Sequence, residues 1–440
     1  MYKHEIKEIK SNLKKLKVEI LNNRELIYEA LKKDLNKNPL EAEATEVGQV
    51  LNELNLYIRK LKRWWKNKRV TNSIQTFYSK TYIKSEPYGN VLIVCPWNYP
   101  FNLSLIPVIN AIGTGNNVIL KLSELCPNTN QIVKKILTTV FNSAQVKIYE
   151  GDKEIVEQIY SENKIDFIFF TGSEKVGQIY YKKAAELLIP CVLELGGKSP
   201  LIVGYTADME EAANKLVLGK LLNAGQTCIA PDYVLVHKEK KEELIQEINN
   251  SYHSIFKEKN AMNEDIARIV NKEHYDRLVK LAPQAKRNEE TLQFDLNILE
   301  LSDNTTQKVM SEEIFGPLLP IITFNELDDA VKFVNSKSEP LTAYLFTRNS
   351  YEINKVTSEI KAGSIVINDI LLQLQNRRLA FGGRGKSGIG KYRGKAGFDT
   401  FTHKKPVIYK TQVYKEKRTL KILQNKPKIL KLLQIFNKWY

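Results

Sequence analysis

The chain has 440 residues, 43% of them hydrophobic, which suits two or three globular domains and exceeds what one small core would take up. No apolar run approaches the roughly 20 residues of a membrane span, the start Met1 to Lys10 is charged and helix-like rather than signal-like, and four cysteines without a C-x-x-C pair offer neither a zinc motif nor a secreted disulfide framework, so the chain reads as cytoplasmic. Sixty-six Lys and Arg against 50 Asp and Glu give a net charge of +16, but the cations are spread along the chain rather than clustered, which argues against a nucleic-acid partner.

Apolar residues recur every three or four positions through Ile6, Ile9, Leu13, Leu16 and Ile20, then at Leu26, Ile27 and Leu31, predicting helix from Glu5 to about Leu35. A longer helix follows, with Val47, Val50, Leu51, Leu54, Ile58, Leu61 and Trp65 on one face; that face accounts for Trp64 and Trp65 as packing residues. Thr71 to Lys84, rich in Thr, Tyr, Phe and Ile, reads as exposed strands outside the main sheet. Then Val91 to Cys95, Val118 to Leu122, Val146 to Tyr149, Phe167 to Phe170 and Cys191 to Leu193 alternate with helical stretches. Strand, helix, strand in this rhythm predicts right-handed crossovers and a parallel sheet covered on both faces, with its ligand at the strands' carboxyl ends. After Lys198 the alternation restarts: Leu201 to Val203, Tyr233 to Val236, Leu319 to Thr323, Leu341 to Thr347 and Ser364 to Ile367 read as strands, between helices such as Lys241 to Phe256 and Leu327 to Asn335. The fold class is therefore α/β, with two doubly wound domains and a site expected in the cleft between them.

Cys228 sits among small and polar residues, Asn223 to Pro231, between a helical run and a β-rich run, and is a candidate nucleophile. A lone intracellular cysteine is more often a buried packing residue; three other stretches shift that balance. In Pro96-Trp97-Asn98-Tyr99-Pro100, Asn98 follows a strand directly and could donate to an oxyanion. Glu194, beside Gly196 and Gly197, ends a strand where a carboxylate could activate water. Glu313 and Phe315 lie in a loop bounded by Gly316 and Pro317. Lys121 and Glu124 close the second strand, where a carboxylate would bond ribose hydroxyls and a lysine would welcome a 2′-phosphate. Gly172 and Ser173 open a helix with Gly177 one turn in, a place for a diphosphate. The only literal G-x-G-x-x-G, Gly383 to Gly388, has neither the preceding strand nor the following helix that phosphate binding requires. The five histidines are scattered, so no metal site is expected.

In order and spacing these blocks resemble the signatures of the aldehyde dehydrogenase superfamily from about Glu86 to Pro406, and Ser387 to Lys395 with Phe398 to His403 most resemble its class 3, fatty-aldehyde-type branch. The resemblance implies a Rossmann-like NAD(P)-binding domain (1–70 and 86–195), a catalytic domain (196–390), oligomerisation strands (71–85 and 396–412) that make a homodimer, and a C-terminal tail (413–440). It implies Cys228 as nucleophile, Asn98 with the Cys228 N–H as oxyanion donors, and Glu194 as general base. Trp97, Lys121, Glu124, Gly172, Ser173, Gly177, Glu313 and Phe315 then hold the cofactor, NAD with NADP possible. The expected reaction is oxidation of an aldehyde, medium- or long-chain aliphatic or aromatic, to the acid through a thiohemiacetal and a thioester. Two alternatives are a coenzyme A-linked reductive or acylating enzyme, which generally lacks the glutamate, and a catalytically silent membrane-surface or scaffolding protein of the same fold.

This chain departs from that branch at Gln373 to Ala380, where a histidine-containing stretch and Leu-Pro are common; Arg377 and Arg378 there could admit an anionic substrate or face solvent. Residues 411–440 hold seven Lys and one Arg against a single Glu, net +7, interleaved with Leu and Ile and interrupted by Pro427. Such a basic amphipathic tail could lie on an anionic bilayer or pack on the protein or its dimer mate.

Overall fold

A computed structural model describes residues 3–73, 76, 78–257, 261–301, 307–410 and 427–437. The chain divides into two compact units, Met1–Trp64 with Glu86–His403, and Trp65–Ser85 with Lys404–Tyr440.

The larger unit is built on two six-stranded sheets. In the first the order is Gly388–Ile389, Cys191–Glu194, Phe167–Thr171, Asn90–Val94, Asn117–Lys121, Val146–Tyr149, all parallel except the first pair. The chain starts at Asn90–Val94, steps outward twice, then returns to the other side. That reversal puts the ligand crevice beyond Val94 and Thr171. The second sheet, Asn297–Glu300, Leu318–Phe324, Tyr233–His237, Pro200–Val203, Thr342–Phe346, Ser364–Ile367, is parallel throughout. Its residues alternate between two cores: Leu201, Val203, Val234 and Val236 pack on one face, Ile202, Tyr233 and Leu235 on the other. Burial on both faces is why these strands read as unbroken apolar runs.

The edges of the two sheets serve the site differently. Trp97, Asn98, Lys121, Gly172 and Glu194 all lie at or just past carboxyl ends of the first sheet, whereas Cys228 and Glu313 precede the strands Tyr233–His237 and Leu318–Phe324 and so lie at the amino edge of the second. The first sheet thus behaves as a doubly wound sheet should, and the second offers the opposite end.

The N-terminal helices Lys3–Asn22, Arg24–Leu35 and Gly48–Trp64 pack against the helices Asn102–Gly113 and Pro127–Val140 of the first sheet. Leu13, Leu16, Ile20, Val50 and Leu54 are wholly buried, as the periodicity predicts. Trp64 packs edge-on to Tyr57 at 5.1 Å, so it is a packing residue as expected.

Two expectations change. Thr71 to Lys84 is not strand throughout: strand runs over Ser79–Pro87, paired with the short Lys68–Arg69. Before it Ser73 and Thr76 close a turn, with the Ser73 N–H donating to Thr76 Oγ1 at 3.0 Å and the Ser79 N–H to the Thr76 carbonyl at 2.8 Å; residues 74, 75 and 77 lie outside the described residues. Hydroxyl residues bonding their own backbone compete with a ladder. Asn297–Glu300 and Gly388–Ile389 are strands that periodicity missed, too short to carry a pattern. The tail is helical over Pro427–Asn437, and the interruption expected at Pro427 falls at the limit of the described residues. The rest of the tail, 411–426 and 438–440, lies outside the described residues.

In the smaller unit Ser79–Pro87 is the central strand between Lys68–Arg69 and Thr402–Lys410. Ile408 and Tyr409 on the outer strand are 61% and 55% exposed, as are Leu430 and Ile435 on the terminal helix at 55% and 57%.

Candidate active site

The helix Met209–Leu221 ends in an abrupt reversal. Asn223, Ala224 and Gly225 take φ of 52°, 51° and 69° in succession, a left-handed run that only the glycine adopts without strain. The run persists because its polar groups are bonded in place. Asn223 Nδ2 donates to the carbonyls of Asn98 and Gln226 at 2.9 and 3.0 Å; Gln226 Nε2 donates to Asn223 and Arg268 carbonyls, and Gln226 Oε1 accepts from the Val270 N–H at 3.0 Å. Cys228 emerges just beyond and is partly exposed, while Cys95 and Cys126 are buried. Downstream, the buried Tyr344 hydroxyl donates to the Ile229 carbonyl at 2.6 Å.

Asn98 meets this loop from the first sheet. Its Nδ2 donates one hydrogen to the Gln226 carbonyl at 3.0 Å, and an amide carries two, so the second is the candidate oxyanion donor. Tyr99 adds a bond of 2.6 Å between its hydroxyl and Thr227 Oγ1. Trp97 stands edge-on to Phe315 at 5.4 Å, joining the first sheet's loop to Glu313 and Phe315.

The charges here are raised in energy by burial. Glu194 is 3% exposed and neither carboxylate oxygen has a hydrogen-bond partner; burial pushes its pKa well above the usual carboxylate range, with Arg393 opposing. Burial likewise pushes the Cys228 thiol up to about 12, helped by Glu313 and Glu194 and opposed by Arg393 and by its own backbone N–H. Glu313 is raised to about 8, first by burial and then by Asp232, although it accepts from the Gly197 N–H. Burial thus disfavours charge on the thiol and on both carboxylates, so the thiolate forms only as substrate arrives. Gly196 leaves room for the Glu313 carboxylate, which a side chain there would displace.

A nucleophilic thiol, an amide donor and a buried unpaired carboxylate, brought together from two sheets, are the parts of acyl chemistry through a thioester. The model of the aldehyde dehydrogenase family matches residues 1–407. The chain belongs to the aldehyde dehydrogenase family. It is 42% identical over 412 residues to the 4,4′-diaponeurosporen-aldehyde dehydrogenase of Staphylococcus aureus, covering 91% of this chain and 89% of that one. It is 39% identical to aldehyde dehydrogenase family 3 member H1 of Arabidopsis thaliana, covering 91% and 85%. The solved substrate-bound state of Staphylococcus aureus AldH superposes with a TM-score of 0.91 at 39% identity, over 95% of this chain and 94% of that one. The α/β fold and the class 3 resemblance are thereby established, and the chain is an NAD(P)-dependent aldehyde dehydrogenase.

For an aldehyde dehydrogenase the remaining expected residues lie along the first sheet's carboxyl edge, and they fit a dinucleotide. Ser173 caps the helix Glu174–Leu187, its side chain accepting from the Val176 N–H, which leaves earlier N–H groups at a positive helix end. Gly172 and Gly177 stand where a Cβ would meet Phe170 and Leu195, so the chain passes close. Thr171 Oγ1 is buried without a partner. Lys121 and Glu124 face this edge as an ion pair of 2.9 Å, so the two opposing expectations for the ribose meet in one contact. Gly383 to Gly388 instead forms a 3-10 turn and the strand beside Glu194, a packing role. Arg377 is half-buried and donates to the Asn52 carbonyl at 3.1 Å, and Arg378 is exposed to solvent.

Sequence reasoning missed Arg393, buried at 7% and electrostatically coupled to both Glu194 and Cys228. The stretch containing it was visible, but its charge gave no sign of burial. Its φ of 73°, between Gly390 and Gly394, is the local feature that turns it inward.

Proposed function

We propose that aldehyde oxidation takes place on Cys228 and ends in a free carboxylic acid. The observation that carries this is Glu194, a carboxylate with no hydrogen-bond partner, electrostatically coupled to a partly exposed thiol. As the thiol adds to the aldehyde carbon, its proton passes to solvent water and the new oxyanion is held by Asn98 Nδ2 and the Cys228 N–H. Trp97, Phe315 and Glu313 would hold a dinucleotide on the nicotinamide side, and Lys121, Glu124, Gly172, Ser173 and Gly177 along its adenosine and diphosphate. The bound nicotinamide supplies the acceptor for the hydride. Glu194 as the carboxylate then takes a proton from water, whose oxygen attacks the thioester carbon and breaks its bond to sulfur; the departing thiolate takes that proton and Cys228 is a thiol again. Arg393 favours the charged forms of both groups. A coenzyme A-linked reaction would make Glu194 dispensable.

The lobes divide as 1–70 with 86–195 for the cofactor and 196–390 for catalysis, with 71–85 and 396–412 as pairing strands. The exposed edge strand Thr402–Lys410 supports a homodimer. Medium- or long-chain apolar aldehydes suit the terminal helix, whose Leu430 and Ile435 are exposed in a segment of net charge +7. We read it as a peripheral contact of a cytoplasmic enzyme with anionic bilayers, and none of the described helices is long and apolar enough to cross a membrane.

The test is a rapid-mixing assay at 340 nm with aldehyde and NAD. Cys228→Ala should give no absorbance change. Glu194→Gln should give a first-turnover burst of one equivalent, followed by a steady rate lower by about 10²- to 10⁴-fold. Equal loss of both phases in Glu194→Gln would remove it from the hydrolytic role.

A further inference from the structure

The segment 34–46 touches both lobes of the larger unit at the site. Toward the cofactor sheet, Asp34 Oδ2 accepts from the Thr129 N–H and Oγ1, both at 2.7 Å, and Glu46 Oε2 accepts from the Asn102 N–H at 2.7 Å. Toward the catalytic sheet, Asn36 Nδ2 donates to the Ile266 carbonyl and Asn38 Nδ2 to the Asp265 carbonyl, both at 2.8 Å, while the Arg268 N–H donates to the Leu35 carbonyl. Between these anchors lies Lys37, with 0% exposure. Its ammonium reaches Glu46 Oε1 at 2.7 Å and the Asn98 carbonyl at 2.9 Å, 3.9 Å from the centre of the Tyr99 ring.

We propose that Lys37, with Glu41 and Glu46, is a charged clasp that positions the oxyanion amide against the nucleophile loop. The proposal rests on the roles assigned above to Asn98 and Cys228. The Asn98 carbonyl is shared by Lys37 and Asn223 Nδ2, so one atom ties the clasp to the first left-handed residue. Glu41 Oε1 holds the same residue by its N–H at 2.8 Å. Tyr99, under the ammonium, bonds Thr227 next to the cysteine. Glu41 lies in the short helix Pro39–Ala42 and Glu46 in the π turn Glu43–Val47 that follows it, and both carboxylates act on Lys37. Burying a lysine and two carboxylates is costly, and well-packed apolar side chains often hold a core as firmly. Apolar side chains could not, however, take a hydrogen bond from Asn223 or give one to Asn98. The clasp fixes an orientation, and a misplacement of about 1 Å at a reacting group can cost 10²-fold in rate.

The experiment compares Lys37→Met, Glu41→Ala and Glu41→Gln in the full chain, with NAD affinity from tryptophan quenching and kcat with aldehyde. Glu41→Ala orphans the Asn223 N–H, and kcat should fall about 10-fold; Lys37→Met leaves the Asn98 carbonyl to Asn223 Nδ2 alone and Glu46 without its cation, and the loss should approach 10²-fold. NAD affinity should stay within about twofold in both. Glu41→Gln keeps an acceptor and should restore kcat to within about threefold, and this pair decides the matter if Lys37→Met does not fold. Wild-type kcat in folded Glu41→Ala overturns the proposal, as does parallel loss of kcat and NAD affinity in both Glu41 variants. Retained oxidation in Cys228→Ala or Asn98→Ala would instead overturn the site assignment, a separate failure.

Discussion

The sulfur side and the cofactor side of this site are built in opposite ways. Around Cys228, Asn223 and Gln226 have 0% exposure, Ala224 3%, and the loop is bonded to three other segments, at Glu41, Asn98 and Arg268 to Val270. Along the cofactor edge, Ser173 is exposed, Val176 and Ile179 on the next turns are 40% and 61% exposed, and Lys121 pairs with a Glu124 that is 46% exposed. The difference follows from what each side must do. The thiol and the Asn98 amide, in the roles proposed for them, stay on the chain and gain by being fixed, whereas a dinucleotide must enter and leave and needs an open edge. Strain and buried charge therefore collect around the thiol.

If that contrast is right, a backbone change should cost far more on the sulfur side. Gly225 has φ of 69°, and a Cβ there would lie 2.6 Å from the Gly316 carbonyl oxygen, in the loop that carries Glu313 and Phe315. Gly225→Ala combines an unfavourable conformation with a backbone clash, so it should cost about 2–4 kcal/mol in a urea titration and displace both loops at once. Wild-type stability and kcat in that variant would mean the loop is not held as tightly as its bonds imply.

The fold was legible where burial is local and repeated. Val146–Tyr149, Ser364–Ile367 and the helix Lys241–Phe256 were readable to the residue because both faces of each sheet are covered and the turns between are polar. The sequence blocks containing Asn98, Glu194, Cys228 and Glu313 also pointed to residues that the fold gathers. Lys37, Glu41 and Arg393 were not legible. In an N-terminal region rich in lysine and glutamate a charge reads as solvated surface, and only the meeting of two lobes turns Lys37 inward. Gly388–Ile389 was invisible for a similar reason, since two residues carry no period and their partner strand ends at Glu194, far earlier in the chain.

Acid–base behaviour offers a sharper test of the same contrast. Glu313, between the two sides, has its folded-state pKa raised from 4.5 to about 8, chiefly by burial. The folded protein keeps a proton there that the unfolded chain releases above its ordinary value. The resulting stabilisation is fully present below 4.5 and is lost as pH rises through about 8. Glu313→Gln carries no such proton, so its melting temperature relative to wild type should rise by a few degrees between those limits. A constant difference across that range would show that Glu313 is solvated like the cofactor edge.

The smallest effect belongs to that edge. Ser173 caps the helix Glu174–Leu187 through a side-chain bond to the Val176 N–H of 3.4 Å, at the long end of the range. Ser173→Ala should cost about 0.5–1 kcal/mol of stability, since water can replace an exposed cap. Its effect on turnover should appear in KM for NAD, raised about two- to fivefold, with kcat unchanged, because the helix end acts on binding alone. A fall in kcat at constant KM would place Ser173 with the groups that act on the transition state, and the division between a fixed sulfur side and an open cofactor side would no longer describe the site.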